Sequence, residues 1–483
     1  MSTITKRIAR GAGWLYGYRW IDRLLDFVSI VVLARILSPD DFGIVAIAAS
    51  VATIIEGLSA FDVNKALIQA REEDVALYDS AWTLSALRGI LSASCMVLVV
   101  PFLTDPRLAA VLLALSLGPL LNGFANPRFV MFERELDYSK LAVLTLGSKV
   151  VSFVVTLAIA LLYRSYWALV IGLLAGGVTS LILTYALKPY RPRVSFARFS
   201  DIFAFSGWLS LTSIATTLSM ETDKIIVGRF LGFGDTGLYF MTQKVGVLPT
   251  RELVAPLQRI LFPSFSELLE DGSRFRRAVC ESINIMASLS LPAGFGFALV
   301  ANDFIPLVLG DQWSSIVQLL TILVPYLALR ATLSMTLPCV MALGRTRLLF
   351  WVSFGYALFH LPVFIAGTVL FGLTGAITSI VIAGVLYSYL NAWMLQRTLQ
   401  ISIREILSQL KRPFTAAILM VLTVFALEAI QPLPLFSESG SWLSLLIKTS
   451  VGCTIYCSTL YGMWRLAGRP AGIERRLSQV FFR

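Results

Sequence analysis

The chain has 483 residues, 57% of them hydrophobic and 14% charged, with a formal net charge of +11 and a mean hydropathy of +0.77. These values exclude an ordinary soluble domain and predict an all-α, polytopic membrane protein. The positive balance does not point to nucleic acid, because the cations sit beside the ends of apolar stretches and have no aromatic-interleaved soluble module around them.

Hydropathy predicts about 14 spans, centred near residues 25, 53, 91, 118, 152, 177, 214, 247, 291, 327, 358, 383, 421 and 453. The first, roughly Gly11 to Leu37, carries Arg19, Asp22, Arg23 and Asp26 at offsets of three, four and seven, hence on one helical face. Ionised groups at membrane depth cost a few kcal/mol each, so this face is expected to line a polar interior. The basic start lacks a cleavage site after a short apolar core and is expected to remain as part of the first helix. Later spans add Glu56, Arg88, Lys149, Lys244, Arg251 and Arg330. Lys244 and Arg251, seven apart, share a face, and Pro249 and Pro256 predict a kinked or broken helix there. Asp62, Lys65, Arg35 and Arg229 fall near span ends, where snorkelling accounts for them. Charges can instead pair to hold helices in register, as Asp62 with Lys65, Asp22 with Arg23, or Glu221 with Lys224.

Lys and Arg cluster in alternate loops, from Lys6, Arg7 and Arg10 through Lys188–Arg198, Arg274–Arg277 and Arg345–Arg347 to Arg465–Arg483. The intervening loops, such as Ser38–Asp41 and Phe371–Leu373, are short and poor in cations, so both termini are expected on the cytoplasmic side. Five cysteines in or beside spans argue against a disulfide framework, and a single histidine, His360, argues against a His-based metal site or triad.

Segments 13–43 and 207–237 match at a constant offset of 194 residues: Gly13-Trp14-Leu15 with Gly207-Trp208-Leu209, then Arg35, Leu37, Asp41 and Gly43 with Arg229, Leu231, Asp235 and Gly237. Six spans separate the repeat starts, an even number, so the copies are parallel repeats. This predicts a six-helix lobe over 1–199, a second over 200–410, and two appended spans with a basic tail over 411–483. Through the offset, Arg19, Asp22 and Arg23 correspond to Ser213, Thr216 and Thr217, so the same stripe is charged in one copy and hydroxylic in the other. Arg19, Arg23, Lys244, Arg251, Ser213, Thr216 and Thr217 are therefore the candidate cavity residues. Inward cations suit an anionic substrate, and Asp22, Asp26, Glu56 and Asp223 are the candidate ion-coupling carboxylates, for H⁺ or Na⁺.

The stretches Leu33–Gly43, Asp223–Arg229 with Leu231-Gly232 and Gly237–Tyr239, and Leu261–Ser266, in that order and joined by Trp167–Val170 and Gly310–Trp313, resemble the Wzx-like polysaccharide-transport flippases of bacteria. The resemblance covers about residues 10 to 400. It implies membership of the multidrug, oligosaccharidyl-lipid and polysaccharide exporter superfamily, with two six-helix lobes, alternating access and no enzymatic activity. It also implies a polyprenyl-diphosphate-linked oligosaccharide moved across the bacterial inner membrane for exopolysaccharide, capsule or lipopolysaccharide synthesis, alongside a polymerase and export machinery. The other readings are a multidrug exporter or a peptidoglycan-precursor flippase of the same fold, and a membrane glycan polymerase, which would need a long external loop.

Overall fold

The computed structural model describes residues 3–59, 67, 75–134, 137–199, 207–267, 271–430 and 442–468. Asp62 and Lys65 lie outside these residues, as does the basic tail from 469. Among the described residues the chain is helical and contains no strand. The principal helices are α1 (Thr3–Ile36), α2 (Pro39–Leu58), α3 (Val75–Val99), α4 (Pro106–Leu115), α5 (Leu117–Gly123), α6 (Val130–Arg134), α7 (Tyr138–Tyr163) and α8 (Trp167–Leu187). They continue with α9 (Gly207–Leu231), α10 (Phe233–Glu267), α11 (Gly272–Val308), α12 (Ile316–Thr332), α13 (Thr336–Ala342), α14 (Thr346–Leu399), α15 (Ile403–Ile430) and α16 (Trp442–Leu466). Ten helical segments among the described residues are long and apolar enough to cross a membrane. The charged helices α1, α9 and α10 are not among them, and the count of ten treats α14 as one piece. In α14 the chain reverses at Gly372, whose φ of 61° and ψ of −145° suit only glycine. The short loop expected at Phe371–Leu373 is this turn.

The helix starts follow from local sequence. Ser38-Pro39-Asp40-Asp41 forms a capping box: the Ser38 hydroxyl accepts from the Asp41 N–H, the Asp41 carboxylate accepts from the Ser38 N–H at 2.9 Å, and Pro39 occupies the first turn where its missing N–H costs nothing. Asp105, Asp137 and Asp271 cap α4, α7 and α11 with single side chains whose carboxylates accept from backbone N–H groups of the first turn.

The chain forms two compact units, Met1–Gly237 and Leu238–Arg483. In the first, α7 packs against α8 and α1, α3 against α5, and α2 against α4 and α9. Its apolar core gathers Ile44, Ala48, Met96, Val111, Leu112 and Val170. Residues 188–199 lie along the start of α3. There the Ser195 and Arg198 N–H groups donate to the hydroxyls of Thr83 (3.0 Å) and Ser80 (3.2 Å), and the Tyr190 hydroxyl donates to the buried Asp79. The Arg128 guanidinium sits over the rings of Tyr190 and Tyr78, at 4.9 and 5.5 Å.

The repeat is visible as geometry within this unit. The α1–α2 junction at Leu37–Ser38 corresponds, at the 194-residue offset, to the α9–α10 junction at Gly232, where φ is +93°. The two junctions meet through reciprocal glycines. A Cβ placed on Gly43 would lie 1.9 Å from the Phe233 carbonyl oxygen, and one on Gly237 would lie 1.9 Å from that of Pro39, the residue equivalent to Phe233.

In the second unit α11 packs against α12, α15 and α16, and α14 against α12 and α13. One core cluster gathers Phe265, Phe275, Val279, Met286, Met335 and Leu395; another joins Ala287, Leu291 and Ala328 to Met420, Tyr456 and Leu460 of the last two helices. The segment predicted to be kinked or broken near Pro249 and Pro256 is one helix, α10, with both prolines inside it.

Candidate functional site

A bilayer supplies no water to the backbone or to charged side chains, so polar groups in these helices must find partners inside the protein. In the first unit, α1 lies against α7, which brings a cation to the carboxylate stripe of α1. Lys149 of α7 is hydrogen-bonded to Asp26 and stands 3.9 Å from Asp22. The three side chains remain 28–38% exposed, so this cluster is open on one side rather than sealed in a core. Arg19 continues the stripe toward the start of α1, and Arg23 lies between the two carboxylates. The Arg19 guanidinium is 6.0 Å from the centroid of the Tyr18 ring, and both arginines are partly exposed.

A second polar cluster lies between α2 and α9. The Ser50 hydroxyl, fully buried, donates to Glu221 at 2.7 Å, and Lys224 donates to the same Glu221 oxygen at 2.6 Å. Asp223 is buried on the same helix, 4% exposed. Thr217 packs against Gly57 of α2, while Thr216 is exposed; the Ser213 side chain lies outside the described residues. Glu56 of α2 is within electrostatic reach of Arg88 of α3. The structure thus gathers Asp22, Asp26 and Lys149 in one cluster and Ser50, Glu221 and Lys224 in another, with Asp223 buried on the helix that carries Glu221 and Lys224.

In the second unit, Lys244 and Arg251 are exposed on α10, with the Lys244 ammonium 6.0 Å from the centroid of the Phe240 ring. Arg330 of α12 is partly exposed. A cluster that the sequence reading passed over binds the last two helices to α11. Lys448 of α16 stands 2.7 Å from both Asp303 of α11 and Glu428 of α15, and the Ser444 hydroxyl donates to Asp303 at 3.1 Å. The signal was present, since all three charges interrupt apolar runs, but no spacing within one helix links them. No group of three or more His, Cys, Asp or Glu residues arranged to hold a metal occurs among the described residues.

Chemically, these clusters are lysines neutralised by carboxylates on packed helices. A carboxylate that shares a lysine with a second carboxylate can exchange a proton or a cation, and releasing the lysine changes how two helices are held. None of the clusters has the nucleophile, base and orienting group of a hydrolytic site.

Comparison with known proteins agrees with the helical architecture. The family model described as "Polysaccharide biosynthesis protein" matches residues 32–318. Among curated proteins, the chain is 27% identical over 465 residues to the succinoglycan biosynthesis transport protein ExoT of Rhizobium meliloti (strain 1021), covering 93% of this chain and 92% of that one. It is 24% identical over 434 residues to the lipopolysaccharide biosynthesis protein WzxC of Escherichia coli (strain K12), covering 88% of each. Among solved structures, lipid II flippase MurJ in an inward closed conformation matches with a TM-score of 0.75 at 14% identity, covering 94% of this chain and 99% of that one, a likeness of fold. With more than half its length matched by the family model and an all-helical membrane architecture to carry it, the chain belongs to the polysaccharide biosynthesis protein family of Wzx-like transporters.

Proposed function

We propose that this protein is a secondary transporter that flips a polyprenyl-diphosphate-linked oligosaccharide repeat unit from the inner to the outer leaflet of the bacterial inner membrane, by alternating access. The observation that carries the reading is the open Asp22–Asp26–Lys149 cluster within α1 and α7 of a chain related along 93% of its length to a succinoglycan transport protein. Charged groups held at membrane depth serve a polar cargo or an ion pathway far better than they serve stability.

In this reading α1, α9, α10 and the two halves of α14 complete fourteen spans, with both termini cytoplasmic. The repeat defines lobes over 1–199 and 200–410, and residues 411–483 form the appended pair. Arg19, Arg23, Lys244 and Arg251 meet the diphosphate or acidic sugars, because guanidinium and ammonium donors match phosphate and carboxylate oxygens. The hydroxyls of Ser213, Thr216 and Thr217 offer hydrogen bonds to the sugar portion. Asp22 and Asp26, through Lys149, are the foremost coupling carboxylates for H⁺ or Na⁺; Glu56 and Asp223 are the others. A polymerase and export machinery receive the flipped unit.

The experiment is a deletion strain assayed for surface polysaccharide and for lipid-linked repeat units on the cytoplasmic leaflet. Loss of polymer with accumulation of the diphosphate-linked precursor is expected. Normal polymer with no accumulation overturns the reading in favour of a drug exporter.

A further inference from the structure

Lys149, Lys224 and Lys448 each meet a carboxylate. Arg330 is solvated differently. Its guanidinium lies 5.3 Å from the centroid of the Tyr387 ring and within electrostatic reach of the Tyr326 phenol; among the described residues no carboxylate pairs with it. An aromatic face and a phenol oxygen stabilise a cation without neutralising it. Two of the three residues are placed by specific packing. Gly384 of α14 clears the space for the Tyr326 ring, since a Cβ there would lie 1.9 Å from the phenol oxygen and 2.0 Å from the ring. The Tyr387 ring leans on Tyr356 at 4.8 Å, and Tyr356 stacks on His360 at 5.4 Å.

The location is unusual in two further respects. Arg330 lies about midway between Trp313 and Arg345 along α12 and α13, and Tyr356, His360 and Tyr387 lie about midway along their halves of α14, so the group sits near the middle of three successive spans. Immediately after Arg330, the helix is interrupted between Thr332 and Thr336. Around that interruption the hydroxyls of Ser334 and Thr336 are buried with no hydrogen-bond partner. Buried hydroxyls normally find partners, and an interrupted helix at mid-depth is tolerated where it lines a polar site.

We infer that Arg330, with Tyr326, Tyr387 and the Thr332–Thr336 interruption, forms an oxyanion site at mid-span in the second unit. The guanidinium binds a phosphate or carboxylate, the Ser334 and Thr336 hydroxyls hydrogen-bond the ligand, and Tyr387 and Tyr356 offer faces for sugar rings. The inference rests on the flippase reading for its ligand class: the oxyanion is either the diphosphate of the lipid carrier or the carboxylate of an acidic sugar.

The test titrates full-length protein in lipid nanodiscs, by calorimetry, with farnesyl diphosphate, with farnesol as the uncharged control, and with a glucuronate-terminated tetrasaccharide. Arg330→Gln should weaken one oxyanion probe at least tenfold, and the probe affected identifies the source. Arg330→Lys should lose less. Tyr387→Leu should weaken the same probe while Tyr387→Phe, which keeps the ring, does not; these variants carry the test if Arg330→Gln does not fold. An Arg19→Gln/Arg23→Gln double variant is titrated in parallel. If it loses the probe while every Arg330 and Tyr387 variant binds as wild type does, the Arg330 site is refuted and the flippase reading stands. Wild-type protein that binds neither oxyanion contradicts both.

Discussion

Removing Lys448 should loosen the appended helix pair from the second unit. Lys448 is 8% exposed and stands 2.7 Å from Asp303, which is 2% exposed, and 2.7 Å from Glu428, which is 35% exposed. With an effective dielectric of about 20, each contact contributes attraction on the order of 5 kcal/mol. Desolvating each ion costs several kcal/mol, so the intact cluster comes out near break-even. Lys448→Met removes the attraction and leaves the Asp303 carboxylate buried beside Glu428, at a cost of about 3–5 kcal/mol. Asp303→Asn added to it removes the stranded charge and should recover more than half of that loss, a coupling of about 2 kcal/mol. The assay is equilibrium unfolding in mixed micelles with increasing denaturing detergent, on the two single variants and the double. A Lys448→Met protein within about 0.5 kcal/mol of wild type, or a double variant as unstable as the sum of the singles, would refute the reasoning.

Gly43→Ala and Gly237→Ala each drive a Cβ into a backbone carbonyl and should cost about 1–3 kcal/mol. Because both spread the same pair of junctions, the double variant should lose less than the sum, which thermal unfolding of the solubilised protein at one scan rate measures. Burial, then hydrogen bonding to the Asp79 carboxylate, pushes the Tyr190 phenol above its ordinary value, so it stays a donor throughout the physiological range. Tyr190→Phe deprives the buried Asp79 of that donor and should cost about 1.5–3 kcal/mol, with faster amide exchange at Ser195 and Arg198 by mass spectrometry. Asp105 caps α4 with its carboxyl held below the ordinary 3.8, chiefly by the Arg107 side chain and then by the Arg107 and Leu108 N–H groups. Its contribution is therefore complete above the ordinary value and is lost as pH falls through the lowered one. Exchange at the Leu108 amide, corrected for its intrinsic rate, should accelerate over that window, and Asp105→Asn should abolish the step.

Local chemistry made much of this fold legible in advance. Every span centre read from hydropathy falls in a described helix. The short loops read at Ser38–Asp41 and Phe371–Leu373 are a helix cap and the turn at Gly372, both set by residue types whose conformational preferences act within a few positions. The 194-residue offset reappears as two helix junctions that meet glycine to carbonyl. Of the kink or break expected at Pro249 and Pro256, a break is absent from α10, since membrane helices carry proline where neighbouring groups resatisfy the backbone. Pairing of charges was the least legible feature. Asp26 finds Lys149 and Asp303 finds Lys448 across more than a hundred residues of chain, and helix spacing rules reach only three or four positions. On α1 the Asp22 and Asp26 carboxylates of the polar stripe meet Lys149 of α7, a partner that no spacing within α1 announces. Ser50 was missed because a serine in an apolar helix gives no sequence signal until Glu221 is packed against it.

Flipping itself is the central claim, and reconstitution tests it most directly. Purified protein in proteoliposomes is given a fluorescent polyprenyl-diphosphate oligosaccharide on one leaflet, and its accessibility to an impermeant quencher is followed over time with and without an ion gradient. The account predicts that protein-dependent movement exchanges the label between leaflets and is slowed by Lys149→Met. A label that stays in its original leaflet at the rate of protein-free vesicles, with and without the gradient, would contradict it.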